Sequence, residues 1–246
     1  MSLPFHLVPD LRDVGTGSVV TVEGDEAHHA VAVRRLRVGE QVALTDGAGA
    51  CVVGEVSSTG KRVFTVAVAT VATHARPQPR LLVVQALPKG DRGELAVEML
   101  TEVGVEEVVP WAAARSVAVW KGERAEKSLA KWRATAREAA KQARRPWHPF
   151  VAPLATTAQV ARLVAQADLA VVLHETAASP LSEVVVPTAG TIVVVVGPEG
   201  GLSDDEVATL AGAGATSVRL GSEVLRTSTA GVAALSAILT RTPRWG

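Results

Sequence analysis

At 246 residues the chain is long enough for one large domain or two modest ones, and 48% hydrophobic residues with only 20% charged, at a mean hydropathy of +0.24, exclude a disordered chain. The 25 basic residues are balanced by 25 acidic ones, so the net field selects no polyanion, and the lone cysteine, Cys51, excludes an internal disulfide or a multi-cysteine zinc site. No apolar run approaches the roughly 18 residues of a membrane span, and Met1–Asp10, with Pro4, His6 and Pro9, has neither the basic nor the apolar region of a secretory signal, so a cytoplasmic protein is expected.

From Val19 to Val71 short apolar bursts alternate with turn residues. Val19–Val22, Gln41–Thr45, Ala50–Val56 and Val63–Val71 are set apart by Gly24-Asp25, Asp46-Gly47 and Ser57–Gly60, the pattern of a small antiparallel barrel. One helix-like piece, Glu26 to Leu36, interrupts it. The polar stretch Thr73–Arg80, with Pro77 and Pro79, predicts a linker between residues 1–72 and 81–246.

Beyond it, strand and helix patterns alternate. Leu81–Ala86 reads as an apolar strand, Gly90–Gly104 as a helix with Leu95, Met99 and Val103 on one face, and Glu107–Pro110 as a short strand. Glu126–Ala143 reads as a long helix. Strands then follow at Leu169–Leu173, Thr191–Val196 and Ser217–Leu220, with helices at Ser203–Ala213 and Thr227–Thr240. Strands apolar on both faces and alternating with helices predict an α/β domain with a mostly parallel, doubly covered sheet.

Two strand ends carry the most information. Thr191–Val196 runs into Gly197-Pro-Glu-Gly-Gly201, after which Ser203 and Glu206 have the spacing of a capping box. Ligands of open α/β sheets lie at the carboxyl ends of strands, and glycines there admit close backbone approach. No Gly-Lys-Ser/Thr follows, no Gly-x-Gly-x-x-Gly occurs in the chain, and Glu199, Asp204, Asp205 and Glu206 would repel a polyphosphate, so a ligand here is expected to be neutral or cationic. The second end is Leu220-Gly221 followed by Leu225-Arg226-Thr227. Arg226 stands at the mouth of a helix, where the macrodipole disfavours a cation; that conflict points either to function or to pairing with an acid such as Glu223.

Gly197-Pro-Glu-Gly-Gly-Leu-Ser-x-x-Glu206, together with Leu220-Gly-x-x-x-Leu-Arg-Thr-x-Thr-Ala230, closely resembles the RsmE family of 16S ribosomal RNA uridine-N3 methyltransferases, of the SPOUT class. Leu87-Pro-Lys-Gly-Asp-Arg92, Glu102-Val-Gly-Val105, Arg115-Ser116, Trp132 and Arg137-Glu-Ala-Ala-x-Gln142 resemble its middle motifs, and His28-His29 with Arg35 and Gly39 resembles its N-terminal barrel. The chain departs from the family pattern at Ala114, Glu223 and Ser228.

The resemblance implies an N-terminal PUA-like RNA-binding β-barrel and a C-terminal SPOUT α/β domain with a deep trefoil knot, acting as a homodimer. It implies S-adenosylmethionine as cofactor, held by Leu173, His174, Gly197, Pro198, Glu199, Gly200, Gly201, Leu220, Gly221, Leu225 and Arg226. The substrate would be 16S rRNA in an assembled small subunit. Arg226, then Arg115, are the expected catalytic cations, which would stabilise the anion that develops on the uracil ring, and Glu199 a proton acceptor or base-orienting group.

Residues 73–150 hold the chain's excess of Lys and Arg, concentrated in Lys131, Arg133, Arg137, Lys141, Arg144 and Arg145. This patch, with His29, Arg34, Arg35, Arg37, Lys89 and Arg92, is the expected RNA-binding set, although a solvated helix face has the same charge pattern. Trp120, Trp132 and Trp147 are expected as core or interface anchors. His28 and His29 are adjacent, the wrong spacing for two ligands on one helical face, so no metal is expected. Other readings are a SPOUT methyltransferase acting on another nucleotide, such as a ribose 2′-hydroxyl, or a non-catalytic RNA-binding protein.

Overall fold

The computed structural model describes residues 3–245; Met1, Ser2 and Gly246, the outermost positions of the expected 1–72 and 81–246 segments, lie outside the described residues. The chain forms two compact units, Met1–Arg76 with Lys141–His148, and Pro77–Ala140 with Pro149–Gly246.

The first unit is built on β1 (Phe5–Leu7), β2 (Val19–Glu23), β3 (Gln41–Thr45), β4 (Ala50–Thr59) and β5 (Val63–Thr73), in the order β1-β3-β4-β5-β2. Alternate residues, among them Val22, Val42, Leu44, Val52, Val56, Phe64 and Val66, meet in one core, which requires the sheet to curl. Register shifts in β4 at Val53/Gly54 and Val56/Ser58 supply the bends. Gly54 lies so close to β5 that a Cβ there would collide with the Ala67 carbonyl oxygen. Two expectations change. The unit is not wholly antiparallel, because β1 pairs in parallel with β3. The expected helix over Glu26–Leu36 is a short α-helix, α1 (Gly24–His28), followed by a π-helical turn at His29–Val33, and it ends where Arg35 takes a φ of 57°.

Lys141–His148 fell within the expected C-terminal domain but packs in the first unit. The Pro146 carbonyl accepts the Gly49 N–H at 3.0 Å, the Gly47 carbonyl accepts the His148 N–H at 2.9 Å, and the Trp147 indole donates to the His74 carbonyl at 2.9 Å. The Arg76 guanidinium lies 4.7 Å from the Trp147 ring centroid. Beneath this segment Lys141 Nζ is 2.8 Å from Glu26 Oε2, and the ring of His6, 3% exposed, places Nδ1 3.0 Å from Glu26 Oε1.

Burial alone would raise the Glu26 pKa, but the hydrogen bonds from His6 and Lys141 win and hold it down at about 2. A depressed carboxylate contributes stability above its ordinary pKa of 4.5 and loses that contribution as pH falls through the folded value. Glu26→Gln should therefore cost about 3 kcal/mol at neutral pH, with the difference from wild type closing as the pH of urea titrations is lowered from 5 toward about 2. A deficit unchanged over that range would refute the assignment.

The second unit is a six-stranded, wholly parallel sheet in the order β11-β9-β10-β6-β7-β8. Its elements are β6 (Arg80–Ala86), α2 (Arg92–Glu102), β7 (Glu107–Trp111), α3 (Glu123–Gln142), β8 (Phe150–Val151), α4 (Thr157–Ala165), β9 (Leu169–Leu173), β10 (Thr191–Val196), α5 (Asp204–Gly212), β11 (Thr216–Val218) and α6 (Thr227–Leu239). Both faces are buried, as the apolar strands require. Leu81, Val83, Val108, Val171, Ile192 and Val194 share one core with residues of α2, α3 and α6, while Leu82, Val84, Val109, Val172, Val193 and Val195 share the other with residues of α4 and α5.

One helix face and one strand differ from expectation. In α2 the buried residues are Gly93, Ala96, Val97, Leu100 and Thr101, whereas Leu95 is 46% exposed. The run Leu81–Ala86 is not uniformly apolar, since Gln85 is wholly buried within it. Trp132 is 2% exposed and stacks edge-on against Trp120 at 5.1 Å, a core role. Beyond α6 the chain end is fixed by Arg244, whose guanidinium lies 2.9 Å from Glu106 Oε1 and donates to the carbonyls of Pro79 and Gly104. Among the described residues no helix is long and apolar enough to cross a membrane.

Candidate functional site

Because the sheet is parallel, β9, β10 and β11 deliver their carboxyl ends to one edge, and the strand order makes the three tips neighbours. Between them lies a cleft of about 650 Å³. Leu173 and His174 come to it from the first tip, Gly197, Pro198, Glu199, Gly200 and Gly201 from the second, and Leu220, Gly221, Leu225 and Arg226 from the third. Arg115 and Arg92 also line it. Three segments separated by many residues are thus gathered around one hollow.

The glycine turn is shaped by its chemistry. The Gly201 N–H donates to the Pro198 carbonyl at 3.0 Å, and Gly201 has a φ of 73°, a conformation that a side chain disfavours. At Gly200 a Cβ would sit 3.0 Å from the Arg115 Cβ and 3.1 Å from its carbonyl oxygen, so the loop lies flush on Arg115. Arg115 Nη1 donates to the Leu202 carbonyl at 3.1 Å. The capping box forms: Glu206 Oε2 accepts the Ser203 N–H at 2.9 Å, and the Ser203 hydroxyl oxygen accepts the Glu206 N–H at 3.2 Å. Glu206 faces inward rather than toward solvent, at 4% exposure, and its Oε1 accepts the Ala114 N–H at 2.8 Å, tying the chain after β7 to the start of α5. Glu199 Oε1 accepts the Lys89 N–H at 3.1 Å and thereby joins the loop before α2 to the glycine turn.

Arg226 occupies the N-cap position of α6. Its side chain is exposed and makes no hydrogen bond or ion pair among the described residues, with Glu223 or any other acid. Asp204 and Glu223, read in the sequence only as acids near the two strand ends, line the same cleft, and sequence reasoning missed Glu175 and Arg219, which do so too; the nearness of Arg219 to Gly221 was the available signal. Arg219 Nη1 donates to the carbonyls of Ala177, at 2.9 Å, and Ala178, and Arg241 donates to those of Leu181 and Val184. These arginines fasten the segment that follows His174.

The expected RNA-binding residues divide. His29, Arg34, Arg35, Arg37, Lys89, Arg137 and Arg144 are exposed, and Arg92 is half-buried. Lys89 and Arg92 border a second hollow of about 640 Å³ with Leu95, Val117 and Glu199. Lys141 and Arg145 are 8% and 9% exposed and cannot form part of a solvent-facing patch; packing of Lys141–His148 into the first unit buries them, and Lys141 is neutralised by Glu26. Lys131 pairs with Glu94 at 3.0 Å, and Arg133 Nε donates to the Val151 carbonyl at 3.1 Å. The six cations from Lys131 to Arg145 therefore do not make one continuous stripe.

The fold and site define an α/β ligand-binding protein whose cleft lies at the carboxyl edge of a parallel sheet, with a small β unit at its N-terminus. A family model described as an RNA methyltransferase domain matches residues 75–239, and one described as an RNA methyltransferase PUA domain matches residues 22–68. Ribosomal RNA small subunit methyltransferase E of Mycobacterium bovis is 46% identical over 237 residues, covering 94% of this chain and 89% of that one, and the protein of the same name from Bacillus subtilis is 32% identical, covering 89% and 88%. The crystal structure of the Neisseria gonorrhoeae ribosomal RNA small subunit methyltransferase E, bound to S-adenosyl methionine, superposes with a TM-score of 0.86 at 26% identity, covering 98% of each chain. The chain belongs to the RsmE family of ribosomal RNA methyltransferases.

Proposed function

We propose that this protein is an S-adenosylmethionine-dependent methyltransferase that modifies N3 of a uridine in 16S rRNA. The observation that carries the reading is the convergence of Leu173–His174, Gly197–Gly201 and Leu220–Arg226 on a single cleft. Its volume suits a cofactor of that size. Gly197, Gly200 and Gly201 line the cleft with bare main chain, and the acids Glu175, Glu199, Asp204 and Glu223 stand beside the arginines Arg92, Arg115, Arg219 and Arg226, a balanced lining that complements a ligand carrying both a cationic centre and a carboxylate. These features fit S-adenosylmethionine, which supplies an electrophilic methyl group when bound.

The chain's own residues do the rest. The rigid loops orient the reacting partners, which lowers the entropic part of the barrier. The unpaired Arg226 guanidinium stabilises negative charge on the uracil carbonyls as the imide loses its proton. Glu199 borders both hollows and keeps one carboxylate oxygen beyond the one bonded to Lys89, so it is the acceptor proposed for that proton. Arg115 shapes the glycine loop from below. His29, Arg34, Arg35, Arg37, Lys89, Arg92, Arg137 and Arg144 contact RNA, largely through phosphate.

The reading includes a cytoplasmic homodimer acting on an assembled small subunit. It also includes a trefoil knot, supported by the return of α6 from edge strand β11 to the face of β10 and β6. Calorimetry with S-adenosylmethionine, followed by nucleoside mass spectrometry of small subunits from a deletion strain after treatment with purified protein, tests it. One 3-methyluridine per 16S rRNA is expected. A 2′-O-methylated product, or no cofactor binding, would defeat it.

A further inference from the structure

Gln85 is a polar residue in an otherwise apolar strand end. It lies on β6, paired in register with Val196 of β10, the residue that leads into the glycine turn. Strand alternation puts it on the face of Leu81 and Val83, the face covered by α2, α3 and α6. Its side chain is wholly buried. Nε2 donates to the Ala86 carbonyl and to the carbonyl of Thr227, 142 positions away, both at 3.2 Å. Oε1 has no partner among the described residues. A leucine or methionine would fill similar space and remove the unsatisfied Oε1, which offsets the loss of the two bonds from Nε2, so stability alone does not account for the amide.

The bond to Thr227 supplies the account. Thr227 is the first residue of α6, and Arg226 is its N-cap. An amide anchored in a central strand therefore fixes the main chain next to Arg226, a cleft arginine whose guanidinium, like that of Arg92, has no protein partner among the described residues. Arg115 and Arg219 are held by carbonyls that their own guanidinium groups grip; Arg226 has only its backbone to place it.

We propose that Gln85 is a positioning residue for methyl transfer, holding the first turn of α6 so that Arg226 enters the cleft at a fixed point. This rests on the reading of Arg226 as the cation that stabilises the uracil anion. A guanidinium displaced by an ångström still binds but no longer meets the charge as it develops, so the loss falls on kcat.

The test compares Gln85→Leu, Arg226→Ala and the double variant in the intact protein, with small subunits and S-adenosylmethionine as substrates. Gln85→Leu should melt close to the wild-type temperature, bind S-adenosylmethionine within about threefold of wild type, and lose about tenfold to a hundredfold in kcat. The double variant should be no slower than Arg226→Ala, because the amide acts through that arginine. Gln85→Met serves the same comparison if the leucine variant does not fold. In Gln85→Glu the buried carboxyl donates only when protonated, so its kcat relative to wild type should rise as pH falls. Normal kcat in Gln85→Leu beside a slow Arg226→Ala, multiplying losses in the double variant, or a pH-independent Gln85→Glu ratio would each overturn the inference while leaving the Arg226 reading standing. Wild-type turnover by Arg226→Ala would instead overturn that reading, and this inference with it.

Discussion

Arg226→Ala should lower kcat by about 10²- to 10³-fold, the usual cost of removing a preorganised group that meets developing charge. The affinity for S-adenosylmethionine should fall by no more than roughly tenfold. Folding should not suffer. The side chain is exposed, takes no part in an ion pair among the described residues, and sits at the positive end of the α6 macrodipole, so its loss relieves a small repulsion. Single-turnover methylation beside a thermal melt separates the two effects. Arg226→Lys should recover only part of the rate, since an ammonium offers a point charge where the guanidinium offers a planar fork. Unchanged single-turnover rates in the alanine variant would remove Arg226 from the mechanism.

The largest expected loss of stability lies at the chain's end. Arg244→Ala leaves Glu106, whose side chain is 6% exposed, without its guanidinium, and also strips donors from the carbonyls of Pro79 and Gly104. Breaking one partner out of such a buried pair costs about 3 to 5 kcal/mol, which corresponds to a melting temperature lower by roughly 10 °C for a chain of this size. Replacing both partners, as Glu106→Leu with Arg244→Met, should be less harmful than the two single losses combined, because no uncompensated charge remains. Recovery will be partial, since Glu106 Oε2 also accepts the Leu81 N–H at 2.7 Å. Chemical denaturation of the three variants distinguishes this arrangement from an inert surface pair, for which all would match wild type.

Legibility in the sequence followed the strength of local signals. Leu169–Leu173 and Thr191–Val196 occupy the strands expected of them because short, wholly apolar or β-branched runs with valine at their centre favour a buried strand, and Ser203 with Glu206 announces its helix through a reciprocal cap. Helix α4 lies outside the expected elements, although Thr156 and Gln159 form an equivalent capping box. Strands β1 and β8, of three and two residues, carry too little alternation to be read at all. The burial of Lys141 follows from contacts with α1, which lies 115 positions earlier in the chain, so no local pattern could separate it from the exposed Arg137. Gln85 reads as part of an apolar run because the other five of its six residues are apolar. The cleft was readable for the opposite reason: glycines and the helix-mouth arginine contradict local preference, and such contradictions stand out.

Arg219 and Arg241 grip the stretch beyond His174 only by main-chain oxygens, a handle every amino acid offers alike. The composition can therefore drift where the gripped side chain faces solvent, as at Ala178, while the contour is preserved, and mutational scanning there should find wide tolerance at Ala178 but little at Leu181, which is buried in the core, and almost none at the two grips.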